Sequence, residues 1–347
     1  MNPPSLLQKT ISFIREEGRA LPAWWYSLST LRKLGPTLSI FIYWGLLASL
    51  HGLHADHFVI GLVIIALSSL GTAAGKLLRF LFPVFLTGIL YDSMRYYSSY
   101  IRADIHVAFP YEFDKKFFGI ATSNGVLTPN EFWQLHTSAI LDFITGFFYL
   151  SFIAFYVFMS GYHALFLPAR AKDPVQRRAA ERIGPYVTWG FFWLNMLGYS
   201  TYYWFPAAPP WYVADHGLGP ALMDTMASPA GAARFDHLLG THFFTGMYGR
   251  SADVFGAIPS LHVAYPLLAT LFAFQVKSLR TFGVIFYVIM CFSAVYLNHH
   301  YVIDILWGSA YAVLIFTIMN ARSNWRARTE NRSAPRASGA FGNRFSS

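Results

Sequence analysis

The chain has 347 residues, of which 55% are hydrophobic and 12% charged, where a soluble domain carries about 25% charge. That balance excludes an ordinary soluble protein. A net charge of +9 raises the question of nucleic acid, but Lys and Arg are scattered over many short connections, the distribution that orients a chain in a bilayer. Cys291 is the single cysteine, which excludes an intramolecular disulfide and a thiolate metal cluster.

In chain order, the first 20 residues carry Arg15, Glu16, Glu17 and Arg19 and are too polar for a secretory signal. Residues 5–15 suit a short interfacial helix. Apolar runs long enough to cross a bilayer follow at 36–53, 57–75, 78–94, 140–165, 186–205, 262–277, 281–298 and 302–320. The third is the weakest, because Lys76, Arg79 and Pro83 crowd its start. If all eight cross and the N-terminus is cytoplasmic, 20 of the 26 Lys and Arg lie inside, as the positive-inside rule requires. Both termini are then cytoplasmic. The predicted fold is an all-α, polytopic membrane helical bundle with an N-terminal segment at 1–75, a membrane domain at 76–320 and a basic, disordered tail at 321–347.

Under that topology 12 of the 17 acidic residues and every histidine except His163 sit outside or at the outer edge, beside the long connections 95–140 and 206–261. Two compact polar signatures touch this side. In IPSLHVAYP at 258–266, Ser260 is placed to cap a helix whose first N–H groups would attract an anion, with His262 one or two residues in. An ordinary cap with an interfacial histidine reads as well. In NHHYVIDILWG at 298–308, His300 and Asp304 are four apart and would share a helix face. A carboxylate beside an imidazole fixes its tautomer and leaves the other nitrogen to act, although a structural pair fits the same residues. An aspartate entering an apolar run is a functional candidate by default. His299 would point about 100° away on a helix and suits packing. Arg95 and Arg102, seven apart, suit phosphate oxygens as forked donors or face lipid headgroups, together with Lys115 and Lys116.

These residues resemble the motifs of the type 2 phosphatidic acid phosphatase superfamily. Pro259-Ser260-Leu261-His262 is similar to its Pro-Ser-Gly-His motif. Ser293-Ala294, five residues, His300, three residues and Asp304 keep the spacing of its Ser-Arg/His/Asp motif without the arginine. Arg95, six residues and Arg102-Ala103 keep the spacing of its Lys/Arg-Pro motif. FPAAPPWY at 205–212, SPAGAARFDHLLG at 228–240, FGAIPSLH at 255–262 and YLNHHYVIDILWG at 296–308 resemble the inositol phosphorylceramide synthase branch, the aureobasidin A resistance proteins. The likeness spans about 90–320; the first 75 residues and the tail carry little of it.

The resemblance implies a six-helix catalytic core within the eight spans. It implies His300 as nucleophile, oriented by Asp304, with His262 as general acid and then base, and Arg95, Arg102 and Ser260 holding phosphate. The donor would be phosphatidylinositol and the acceptor ceramide or a similar lipid alcohol, with no metal or other cofactor. Asp215, Arg234, Asp236 and Asp253 are headgroup-binding candidates in a loop that reads equally as a rigid lid. A lipid phosphate phosphatase with water as acceptor is the alternative. No protein partner is identifiable, and nucleic acid is not expected. Short loops and compact length favour a bacterial plasma membrane, with the site on the extracytoplasmic side.

Overall fold

The computed structural model describes residues 5–96, 103–249 and 253–333. The chain divides into two compact units, residues 1–90 and 91–347, and the third apolar run at 78–94 lies mostly in the first.

In that unit α1 (Leu6–Ser27) opens with a capping box on Ser5 and Gln8, so the helix expected at 5–15 continues for three more turns. It is followed by α2 (Thr30–Ser49), α3 (Ala55–Ser69) and α4 (Thr72–Ser93). Helices α2 and α3 meet where Gly61 has no side chain; a Cβ there would lie 2.5 Å from the Trp44 ring. The Trp44 indole N–H donates to the His57 carbonyl at 3.0 Å. Glu17 accepts from the Thr72 hydroxyl at 3.0 Å, tying α1 to the start of α4.

The second unit carries the remaining helices. Helix α5 (Ala108–Phe118) leads into a two-stranded hairpin, β1 (Ile120–Thr122) and β2 (Gly125–Leu127), with Ala121 opposite Val126. Asn124-Gly125 is the turn signal for it, and Gly125 has the positive φ of 114° that the turn needs. Helix α6 (Pro129–Leu135) follows a Thr128/Glu131 capping box. The run expected at 140–165 is two helices, α7 (Ala139–Leu150) and α8 (Phe152–Gly161), with Ser151 as the break and a π-helical turn at Tyr162–Phe166 beyond. Helix α9 (Pro174–Trp204) is 31 residues long. It contains the run at 186–205 and begins in a polar stretch with Arg177, Arg178 and Arg182. The connection at 206–261 contributes three short helices, α10 (Pro210–His216), α11 (Ala233–Leu239) and α12 (Phe243–Tyr248).

The bundle closes with α13 (Leu261–Gln275), α14 (Arg280–Tyr296) and α15 (Val302–Ser333). Helix α13 packs on α14, α15, α9 and α8, and is the central member of the unit. Helix α15 runs to Ser333, so the tail expected to be disordered from residue 321 begins as helix. Ala321, Arg326, Ala327 and Glu330 are good helix formers, and no Gly or Pro interrupts them before Pro335.

The unit is apolar outside as well as inside, unlike a soluble bundle. On α14, Val284, Ile285 and Val288 are exposed while Gly283, Phe286, Met290 and Ser293 are buried, as suits helices solvated by lipid outside and by one another inside. Among the described residues Thr72–Tyr96, Phe152–Arg170 and Val302–Arg326 are long and apolar enough to cross a membrane, and α3, α7, α13 and α14 are shorter apolar helices.

Candidate active site

The site is built where α14 ends and α13 and α15 begin. Helix α14 stops at Leu297, and Asn298 takes the left-handed conformation with φ 62°. Asparagine tolerates that region better than most residues, and it reverses the chain as a helix terminator does. The His299 and His300 N–H groups then both bond back to the Ala294 carbonyl, at 3.1 and 3.0 Å. Both histidines are thereby fixed in a turn ahead of α15, not on the helix that the four-residue spacing suggested.

Asp304 reaches His300 by folding back over the helix start. Its Oδ2 accepts from the Tyr301 N–H at 2.9 Å and lies 3.3 Å from His300 Nδ1. Nδ1 also faces the Ala257 carbonyl at 3.1 Å. With two oxygen acceptors at Nδ1 the proton belongs there, and Nε2 keeps its lone pair. That Nε2 lies 3.3 Å from His262 Nδ1. The structure therefore brings His262, His300 and Asp304 into one chain of hydrogen bonds.

Two backbone contacts set that distance. The Ser260 N–H donates to the Asp304 carbonyl at 3.0 Å. Gly308, one turn further on, lies so close to Ser260 that a Cβ would stand 2.3 Å from the Ser260 carbonyl oxygen. The Ile258–Pro259 peptide is cis. Ser260 holds the N-cap position expected of it, but its hydroxyl makes no capping bond; it is buried without a partner.

Aromatic rings fix His262 from the side. Tyr149 lies nearly parallel to it at 4.4 Å between centroids and 17° between planes, and Phe152 is also 4.4 Å away. The break at Ser151 is what lets both residues face α13. Tyr149 also stacks on His299 at 5.1 Å, and Tyr248 stacks on His299 at 4.6 Å. Burial holds the His300 imidazole down at about 4, opposed by its bond to Ala257, and holds His299 at about 3. Both are neutral at pH 7.

The remaining sequence candidates fall elsewhere. Arg234 donates to Asp142 at 2.6 Å, to Gln134 at 2.9 Å and to the Tyr296 carbonyl at 3.3 Å. Its fork is used to pin α11 to α6, α7 and the end of α14. Asp236 is buried and accepts from the N–H groups of Phe244 and Thr245 at 3.2 and 2.9 Å, so it caps α12. Arg234, half-buried, and Asp236, buried, thus both make bonds within the scaffold. Asp215 is exposed on α10. Asp253 accepts from the Phe255 N–H at 3.0 Å on the stretch leading to Ser260. Arg95 pairs with Asp92 three residues before it, and Arg102 lies outside the described residues. The loop 206–261 is held at its centre: the Gly231 N–H donates to Leu297 at 2.9 Å, and a Cβ at Gly231 would meet that backbone at 2.8 Å.

Sequence reasoning missed three contributors. Tyr149 sits in an apolar run with nothing to mark it. Asn130 donates to the carbonyls of Val295 at 3.0 Å and His300 at 3.1 Å, bracketing the turn. Asp114 is fully buried against the first turn of α15, and no spacing links it to Asp304.

Two imidazoles and a carboxylate brought together where the final helices meet suit an enzyme that works by a nucleophilic or acid–base imidazole. Comparison with known proteins agrees. Residues 131–318 match the profile of the PAP2 superfamily. The chain is 34% identical over 272 residues to the phosphoinositol dihydroceramide synthase of Bacteroides thetaiotaomicron, covering 78% of this chain and 85% of that one. It is 39% identical over 127 residues to the inositol phosphorylceramide synthase catalytic subunit of Schizosaccharomyces pombe, covering 36% of this chain and 30% of that one. The Saccharomyces cerevisiae catalytic subunit matches at 37% over 125 residues, 36% of this chain and 31% of that one. No solved structure matches the chain. The chain belongs to the PAP2 superfamily, on the branch of the inositol phosphorylceramide synthases. It is an integral membrane protein and a sphingolipid synthase of the PAP2 type.

Proposed function

We propose that the protein moves the inositol phosphate headgroup of phosphatidylinositol to ceramide or a similar lipid alcohol, through a phosphohistidine on His300. His300 Nε2 attacks phosphorus, and the bond from phosphorus to the diacylglycerol oxygen breaks. His262 gives that oxygen its proton, and diacylglycerol leaves. The acceptor hydroxyl then loses its proton to His262 and its oxygen attacks the same phosphorus. The phosphorus–nitrogen bond breaks and His300 is regenerated. Asp304 keeps Nδ1 protonated throughout and stabilises the positive charge that develops on the ring.

The observation that carries this reading is the His262–His300 contact of 3.3 Å with Asp304 behind it, in a chain 34% identical to a phosphoinositol dihydroceramide synthase over most of both lengths. The two nitrogens touch directly, so a phosphate that is to be attacked on one side and protonated on the other has to part them. The Ser260 hydroxyl, buried without a partner, and the first N–H groups of α13 are the donors we assign to its non-bridging oxygens; Arg95 and Arg102 remain candidates for the same role. We further propose eight crossings, cytoplasmic termini and a site facing the extracytoplasmic side of a bacterial plasma membrane.

The test uses purified protein in mixed micelles with headgroup-labelled phosphatidylinositol, with and without ceramide. Labelled phosphoinositol ceramide should form only when ceramide is present, and His300→Ala should cut turnover by about 10³-fold or more, the scale for loss of a nucleophile. Release of inositol phosphate at equal rates in both arms would show that water, not the lipid alcohol, is the acceptor, and would overturn the transferase reading.

A further inference from the structure

Helix α15 starts without a usable cap of its own. Asp304 supplies half of a capping box by accepting from the Tyr301 N–H, as an acidic residue three positions past an N-cap does. Tyr301 stands where the other half belongs, and its hydroxyl is at the far end of a ring. The next N–H groups, of Val302 and Ile303, are taken by a residue almost 190 positions earlier in the chain: the Asp114 carboxylate, at 2.6 Å from Val302 N and 3.0 Å from Ile303 N. Asp114 and Asp304 are both completely buried. Together they hold three consecutive N–H groups, and two carboxylates end up facing one helix start.

We propose that Asp114 is a positioning residue for the transfer reaction, the missing half of the α15 cap, which holds Asp304 at the distance and angle that orient His300. It touches no substrate and acts through the helix start alone. The reasoning is geometric. Asp304 is rooted in the first turn of α15, so any shift of that turn moves its carboxylate against His300, whose own turn is fixed separately by Ala294 and Asn130. Burying an acid opposite another acid is costly, and burial together with Asp304 lifts the Asp114 carboxyl to about 7 despite two backbone bonds that favour the charge. A helix in need only of a cap is served as well by Ser or Thr.

The inference rests on the proposed phosphotransfer, and two readouts separate the failure of one from the failure of the other. In the micelle assay, Asp114→Asn keeps one acceptor and Asp114→Ala none. The turnover number should fall about tenfold and about a hundredfold respectively, the range for a misplacement of about 1 Å, while KM for phosphatidylinositol stays within about twofold. Full turnover in Asp114→Ala overturns the proposal. So does a loss of thermal stability with turnover per folded molecule unchanged. Independently of any substrate, carbethoxylation of His300 by diethylpyrocarbonate, read by mass spectrometry, should change at least about threefold in Asp114→Asn. An unchanged rate counts against the proposal even if the wild type proves to use a different lipid.

Discussion

His300 shows how much one side chain's surroundings decide. Its Nδ1 is committed to two oxygens and its ring is buried, so the neutral form is strongly preferred, and the lone pair on Nε2 is present at neutral pH without a base to create it. The preference has a signed consequence for stability. The ring titrates near 6.5 when unfolded and near 4 when folded, so its contribution is complete above pH 6.5 and drains away as pH falls toward 4. Full protonation costs roughly 3 kcal/mol on that interval. The melting temperature of the wild type should therefore fall more steeply from pH 6.5 to 4 than that of His300→Gln, measured by tryptophan fluorescence in the same detergent. Asp114, raised to about 7, acts in the opposite sense, losing stability as pH rises from 3.8 through 7. The comparison between the two proteins isolates the histidine.

At the scale of elements, the proposed chemistry depends on how closely the starts of α13 and α15 approach. Gly308 is the residue that permits it, and the Ser260 N–H bond to the Asp304 carbonyl is the result. A methyl group at 308 would force the two starts apart by a few tenths of an ångström or more. Gly308→Ala should destabilise the protein by about 1–3 kcal/mol, the usual cost of overpacking, and should lower turnover at least about tenfold. Thermal melting and the micelle assay measure the two effects.

How far the sequence could be read follows from the same elements. The runs at 262–277 and 281–298 gave α13 and α14 to within two residues, whereas those at 186–205 and 302–320 are parts of longer helices and that at 140–165 is broken at Ser151, because polar turns of a helix carry no apolar signal. The polar signatures at 258–266 and 298–308 singled out His262, His300 and Asp304, which lie in one chain of contacts in the folded protein, because polar groups beside an apolar run are conspicuous. The turn at Asn298, which takes His300 off the helix, was not legible. Neither was the pairing of Asp114 with Val302 and Ile303, since such bonds depend on tertiary packing across almost 190 residues. Arg234 and Asp236 looked like ligands for a sugar because they are charged; in the folded chain those charges find partners in Asp142, Gln134 and the start of α12. The helical extension to Ser333 shows a strong span carrying its geometry into a polar tail.

On the scale of the whole molecule, apolar residues face outward along α2, α3 and α14 while charge is gathered inside near one end of the second unit. On the proposed orientation 20 of the 26 Lys and Arg lie in the cytoplasm. A reporter active only in the cytoplasm, fused after Ser347 in a bacterial host, should give signal, and a reporter active only outside should be silent. The reverse pattern would overturn the orientation and move the site to the other leaflet.

The direct touch between the two imidazoles also bears on what the resting enzyme resists. Each ring occupies the nitrogen through which the other would react, so the nucleophile is latched by its own partner. A small reagent reaches that lone pair only in the moments when the contact opens. On the proposed transfer the phosphate has to part the two rings, so binding energy from the rest of the donor is spent on that separation before any bond is broken.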